Sequence, residues 1–245
     1  MKKRIWIITL FPEYFSPFLD LGIIGSTLKG QRGPQFEVIT VSLREFSPKD
    51  YKGVDDSPFG GGPGMVIRAD ILANALMEGV VKPGNYGENF KEKLHVIFPS
   101  PRGSVWGNNF CKDFAHRAFG ETSKDLVFIC GRYEGIDERF IEKYVDEEIS
   151  LGDFVLTGGE LATMVILDCS LRFVSGVLGN KESSVSESFQ NQLLEHPQYT
   201  RPREFEGLEV PSVLLSGNHR DIAKYQQVER VRITQKFRPD LLENL

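Results

Sequence analysis

Four short stretches of this chain are apolar almost without a break: residues 4–10 (RIWIITL), 36–43 (FEVITVSL), 94–98 (LHVIF) and 126–130 (LVFIC). A strand with one wet face alternates apolar and polar side chains. Runs that mostly do not alternate predict strands covered on both faces, as in a parallel sheet. Between them the apolar spacing lengthens to that of helices over residues 12–22, 69–78 and 105–117, with Ile71, Leu72, Ala75 and Leu76 sharing one side of the second. Strand and helix in repeated alternation predict an α/β domain on a parallel sheet. A further strand over 147–149 runs into the glycine-marked loop LGDFVLTGGE (151–160), and a helix over 161–174 closes that domain.

Past residue 178 the pattern dissolves into GNKESSVSESFQNQ (179–192), polar and serine-rich with little to bury. Such a stretch predicts a flexible linker. It divides the chain into a domain over 1–178 and a small, mainly helical domain over 193–245. In the latter, residues 219–237 predict a helix whose Ile222, Tyr225, Val228 and Val231 recur every third position on one face. That helix carries Arg220, Lys224, Arg230, Arg232 and Lys236 against Asp221 and Glu229, so five minus two leaves +3. A solvated face and a stripe for nucleic-acid phosphates are both consistent with those charges.

Composition adds constraints. A chain of 245 residues buries a sizeable core, and its net charge of −5 supplies no global basic field. A nucleic acid would have to be gripped by a local patch, and charge alone argues mildly against one. Cys111, Cys130 and Cys169 are odd in number and widely spaced, which supports neither a disulfide framework nor a metal knuckle and suits a reducing cytoplasm. His95, His116, His196 and His219 show no metal-ligand spacing. The opening MKKRIWIITLFPEYF imitates a secretory signal but meets Pro12 and Glu13 with no small-residue cleavage site, so a buried first strand is expected. No run approaches the ~18 apolar residues of a membrane span.

The glycine loops fail the common templates. FGGGPGM (59–65) lacks the dinucleotide register, and neither a P-loop nor a nucleophile elbow occurs. Three loops remain at the ends of predicted strands: FPSPRG (98–103), GRYEG (131–135) and LGDFVLTGGE. In a parallel sheet those ends converge on one crevice. Glycines, prolines and apolar residues with few cations suit a flat, weakly charged ligand such as an adenosine moiety, held by backbone groups. Ordinary turn chemistry would account for any one of these loops alone.

Together, VDDSPFGGGPGM (54–65), CGRYEGIDER (130–139), LGDFVLTGGE (151–160), RFVSGVLG (172–179), YTRP (199–202) and VPSVLLSGNH (210–219) resemble the bacterial tRNA (guanine-N1)-methyltransferases. The likeness covers nearly the whole chain. It implies a trefoil-knot (SPOUT) methyltransferase domain, in which the chain threads through itself to build an S-adenosylmethionine pocket. General topology rules would exclude such a knot. It also implies a cytoplasmic homodimer, with each active site shared between the knotted domain of one subunit and the linker and C-terminal domain of the other. The anticodon stem-loop of tRNA is the implied partner, and Mg²⁺ a possible second cofactor, although no compact acidic cluster is evident. Matched residue by residue, the likeness implies cofactor contacts at Pro99 and Ser100, at Gly131, Tyr133 and Glu134, and at Leu151, Gly152, Asp153, Phe154, Val155, Leu156, Gly158 and Gly159. Gly131 and Gly135 would let the backbone approach the cofactor closely. Where the family has GGELP this chain has GGELA, which puts Ala162 at that edge of the pocket.

The implied reaction is methylation of N1 of guanosine 37, just 3′ of the anticodon, which helps maintain the reading frame. That nitrogen is protonated in neutral guanine, so a base must strip it. Charge developing on O6 calls for a guanidinium. The family pattern puts an arginine at Arg172 and an aspartate where this chain has Glu187, in SVSESF. Glu187 is therefore the expected base and Arg172 the O6 partner, with Glu182 the next acid in line. The extra methylene could displace the carboxylate by roughly 1 Å, a change worth on the order of 100-fold if uncompensated. Asp55 is expected to meet the RNA near the target base, which must be flipped out to react. Two other readings stay open: a knotted relative acting on a ribose 2′-hydroxyl, and a catalytically silent RNA-binding protein.

Overall fold

The computed structural model describes residues 2–48, 53–178, 187–189 and 191–243. The chain forms two compact units, residues 1–179 and 180–245. In chain order the first runs β1 (Lys3–Thr9), α1 (Ser16–Asp20), α2 (Gly22–Leu28), β2 (Phe36–Ser42), a short antiparallel pair β3 (Asp55–Asp56) and β4 (Val66–Ile67), α3 (Ala69–Leu76), α4 (Phe90–Lys93), β5 (Leu94–Val105), α5 (Asn108–Phe119), β6 (Asp125–Ile129), α6 (Glu138–Tyr144), β7 (Glu147–Ser150) and α7 (Gly159–Leu171). Five of these strands make one parallel sheet in the order β2–β1–β6–β5–β7, as the apolar runs predicted.

The period of two along each strand explains why those runs are unbroken. Ile5, Ile7, Ile97, Leu126 and Phe128 pack on one face against Phe114 of α5 and Ile166, Leu167 and Leu171 of α7. Trp6, Ile8, Val96, Phe98, Val127 and Ile129 pack on the other against Ile71, Leu72 and Leu76 of α3 and Phe140 of α6. Both faces are dry, so both sets must be apolar. Phe128, fully buried in the central strand, makes the cost measurable. Phe128→Ala is expected to lower unfolding free energy by about 3–5 kcal/mol in urea titrations; a loss below about 1 kcal/mol would place the ring outside the core.

Three expectations are corrected. The helix expected over 12–22 is broken: a 3₁₀ turn (Pro12–Phe15) leads into α1, Leu21 is extended (φ −115°, ψ 155°), and Gly22 opens α2 at φ +72°. A left-handed residue cannot lie inside a helix, and glycine adopts that conformation without strain. The strand expected over 94–98 continues to Val105 through a register shift, with Pro99 and Ser104 both opposite Ile149. Pro99 and Pro101 cannot donate to the ladder, so the chain bulges there, and the next helix starts at Asn108 rather than 105. The helix expected over 69–78 narrows to α3, with Met77 and Glu78 in a wider π-turn closed by the Lys82 N–H on the Met77 carbonyl at 2.9 Å.

The second unit carries the hairpin β8 (Glu204–Phe205) and β9 (Leu208–Glu209) and the helix α8 (His219–Phe237). Asn218 caps α8 by accepting from the Arg220 and Asp221 N–H groups. The single apolar face expected on α8 is not formed, since Val228 is 57% exposed. Steps of three residues fall about 60° short of a turn, so Ile222, Tyr225, Val228 and Val231 wind around the helix. Its buried side chain is Thr234, whose Oγ1 accepts from the Leu194 N–H at 2.9 Å and donates to the Arg230 carbonyl at 2.7 Å. Most of the linker predicted over 179–192, with Glu182, lies outside the described residues.

Candidate functional site

Three loops meet at the C-terminal edge of the parallel sheet: the β5 bulge around Pro99, Ser100 and Pro101, residues 131–136 after β6, and residues 151–158 after β7. Backbone hydrogen bonds hold the second loop on both sides. The Gly159 N–H donates to the Gly131 carbonyl at 2.9 Å, and Arg132 pairs with Gly158 in an antiparallel bridge. Opposite, the Glu134 N–H donates to the Met65 carbonyl and the Ile67 N–H to the Gly135 carbonyl, both at 3.0 Å. The GGGPGM segment thereby buttresses GRYEG through β4.

The cleft between the loops has a volume of about 220 Å³, a little under the roughly 300–1,000 Å³ of drug-sized ligand sites. Every position expected to touch a cofactor lines it except Asp153, which is exposed. Phe98, Pro101, Arg132 and Thr157 line it as well, and so does Ala162, which is buried. Pro101 lies in FPSPRG, the first of the loops expected at the crevice. Arg132 and Thr157 carried no signal beyond their place inside the loops.

Close backbone packing dictates the glycines here. A Cβ on Gly159 would lie 2.9 Å from Cys130 Cα and 3.0 Å from Gly131 N. On Gly131 it would lie 2.9 Å from Phe98 Cε2, so the reason for this glycine includes packing beneath the cleft as well as access to it. Tyr133 and Phe154, both more than half exposed, and Val155, 84% exposed, give the rim apolar walls. Tyr133 has φ +59°, which a bulky residue seldom adopts. Partial burial, and then the neighbouring Asp55 carboxylate to which it hydrogen-bonds, push the Tyr133 hydroxyl pKa up. Asp55 is thus brought from β3 to the edge of the cleft.

Among the described residues no lysine lines this cleft, and the arginine that does, Arg132, is matched by Glu160 at 2.9 Å. A polyphosphate would find no uncommitted charge here, whereas a flat ligand of low charge fits the backbone groups and apolar walls.

Arg172 sits in the first unit as the C-terminal cap of α7, and Glu187, partly buried, in the second. Arg172 adds to the field that lowers the Cys169 thiol pKa; the hydrogen bond from Cys111 is the largest cause, with sulfurs 2.7 Å apart. Among the described residues no three His, Cys, Asp or Glu side chains gather as a metal site. No helix among them is long and apolar enough to cross a membrane.

Comparison with known proteins agrees with the motifs. The family model described as tRNA (Guanine-1)-methyltransferase matches residues 3–244. A protein of Clostridium beijerinckii named tRNA (guanine-N(1)-)-methyltransferase is 43% identical over 242 residues, 99% of this chain and 93% of its own length. Proteins with the same name from a Sulfurihydrogenibium species and from Clostridium botulinum are 42% and 45% identical over 240 residues, 98% of this chain and 87% and 92% of theirs.

Proposed function

The chain belongs to the tRNA (guanine-1)-methyltransferase family, and from that premise we propose that it methylates N1 of guanosine 37 in tRNA with S-adenosylmethionine as donor, protecting the reading frame. The observation that carries this reading is the cleft at the sheet edge. It is built from three loops that match the family's motifs, apolar at its walls and, among the described residues, free of uncommitted cations. When bound there, the sulfonium donor supplies an electrophilic methyl group.

Everything else falls to side chains. The loops after β6 and β7 hold the adenosine portion by backbone groups, with Tyr133 and Glu134 on one wall and Leu151, Gly152, Phe154, Val155 and Leu156 on the other; Pro99 and Ser100 close the third side. Asp153, exposed beside them, belongs to the same segment. Glu187 removes the N1 proton, and Arg172 stabilises the charge that grows on O6. Asp55, hydrogen-bonded to Tyr133, stands where the flipped base would enter. The acidic net charge pointed away from RNA; the reading rests instead on a local patch, the basic stretch of α8, holding phosphates of the anticodon stem.

The reading includes the family's knotted threading of residues 1–178, a linker over 179–192 and an RNA-binding domain over 193–245. It also includes a cytoplasmic homodimer whose subunits share each active site. Leu161 and Val165 on α7, with Leu21 and Ile23, support the dimer: they are large apolar side chains left exposed on one chain. Among the described residues no carboxylate cluster suited to Mg²⁺ is formed, and no step is assigned to the ion.

Labelled methyl transfer to unmodified tRNA tests the reading. Digestion should yield labelled 1-methylguanosine, and none when another base replaces guanine 37. Label on a ribose 2′-oxygen, or no transfer at all, would refute it.

A further inference from the structure

The back wall of the cleft contains an ion pair that the reaction does not use. Arg132, from the second loop, and Glu160, in the first turn of α7, meet at 2.9 Å with side chains only 14% and 1% exposed. Glu160 also accepts a hydrogen bond from Thr9 Oγ1 at 2.8 Å, through its other oxygen, and Thr9 Oγ1 in turn accepts from the Phe11 N–H at 3.0 Å. The Arg132 guanidinium donates to the Thr157 carbonyl at 3.2 Å and stacks over the rings of Phe11 and Tyr14, 4.7 and 5.4 Å away. Gly158 has no side chain where the Arg132 stem passes, since a Cβ there would lie 2.6 Å from Arg132 Cδ. One pair of charges therefore ties the end of β1, the second loop and the third loop to a single point.

A buried ion pair is a poor device for stability, because desolvation offsets much of the attraction and apolar replacements often do as well. Arg132 Nε and Glu160 Oε2 even lack a well-aligned hydrogen bond. What the pair supplies is direction: the planar guanidinium, held by Glu160, the Thr157 carbonyl and the rings of Phe11 and Tyr14, fixes the second loop against the third. Glu160 in the first turn of α7 also has a favourable interaction with the helix dipole.

Resting on the proposed function, we infer that Arg132 and Glu160 are positioning residues that, through their contact with each other, set the gap between the two loops and hence the affinity for the methyl donor. The test compares Arg132→Met, the double variant Arg132→Met/Glu160→Leu, and Arg132→Lys. Two readouts are needed: the thermal midpoint, and the dissociation constant for S-adenosylhomocysteine by calorimetry. Arg132→Met strands a buried carboxylate and should lower the midpoint and weaken binding together. The double variant removes both charges and should regain the midpoint, yet bind the probe about tenfold or more weakly, as loop misplacement costs on that scale. The KM for tRNA should not move. Arg132→Lys keeps the charge but loses the fork, and should hold the midpoint with intermediate binding.

A double variant that regains wild-type affinity along with its midpoint would overturn the inference and leave the function intact. Should the double variant fold poorly, Glu160→Gln carries the same contrast, and wild-type affinity in it would equally overturn the inference. Wild-type protein that ignores the probe would defeat the functional reading instead, and this inference with it.

Discussion

Glu187→Gln is expected to slow methyl transfer in a single turnover by about 10²–10⁴-fold, with binding of donor and tRNA unchanged. Neutral guanine holds a proton on N1, and no lone pair is available to attack the methyl carbon until that proton leaves. Glutamine matches glutamate in shape but cannot accept it. Two controls separate a base from a merely structural acid. Glu187→Asp keeps a carboxylate and should retain most of the rate, even though its reach is shorter. The deficit of the Gln variant should also shrink at alkaline pH, where guanine ionises unaided. A Gln variant as fast as wild type at neutral pH would remove Glu187 from the reaction and turn attention to Glu182.

The second large effect concerns the cleft itself. Gly159→Val should weaken S-adenosylhomocysteine binding by roughly 100-fold, the scale of an ångström's misplacement, with Gly159→Ala in between. The added Cβ would fall 2.9 Å from Cys130 Cα and 3.0 Å from Gly131 N. Both are backbone atoms that cannot swing aside. Relief must come from pushing the third loop away from the second, which breaks the 2.9 Å bond between the Gly159 N–H and the Gly131 carbonyl. Binding is read by calorimetry beside a far-ultraviolet melting curve. A well-folded valine variant with unchanged affinity would mean that the two loops do not jointly bound the donor.

Much of the first unit was legible because burial on both faces of a sheet leaves a plain mark on a sequence. Residues 4–10 and 126–130 could hardly be anything but central strands once neither alternated. Proline misled in one place. Pro99 and Pro101 looked like the end of a strand, whereas β5 bulges around them and resumes, and that bulge carries one wall of the cleft. In α8, a spacing of three suggests a face, but the helical period is 3.6, so those side chains wind around the helix.

The loops were legible as a group, because strand ends of a parallel sheet converge whatever their sequence. The Arg132–Glu160 pair was not. Both residues sit inside recognisable motifs, but their contact arises only when the second and third loops are laid side by side, and no periodicity encodes that. The glycines of TGGE line the cleft, and Gly158 and Gly159 also make room for Arg132 and for the Cys130–Gly131 backbone, a packing need the sequence does not display. Net charge was the poorest guide, since −5 describes the whole chain while phosphate contact depends on one surface.

The central claim is that the loops at the sheet edge hold a sulfonium methyl donor. It is tested most directly by titrating the isotopically labelled protein with S-adenosylhomocysteine and following its backbone amide resonances. Saturable shifts concentrated in residues 131–135 and 151–159 are the predicted result. Saturation by ATP or NAD at those residues, with S-adenosylhomocysteine leaving them unmoved, would contradict it.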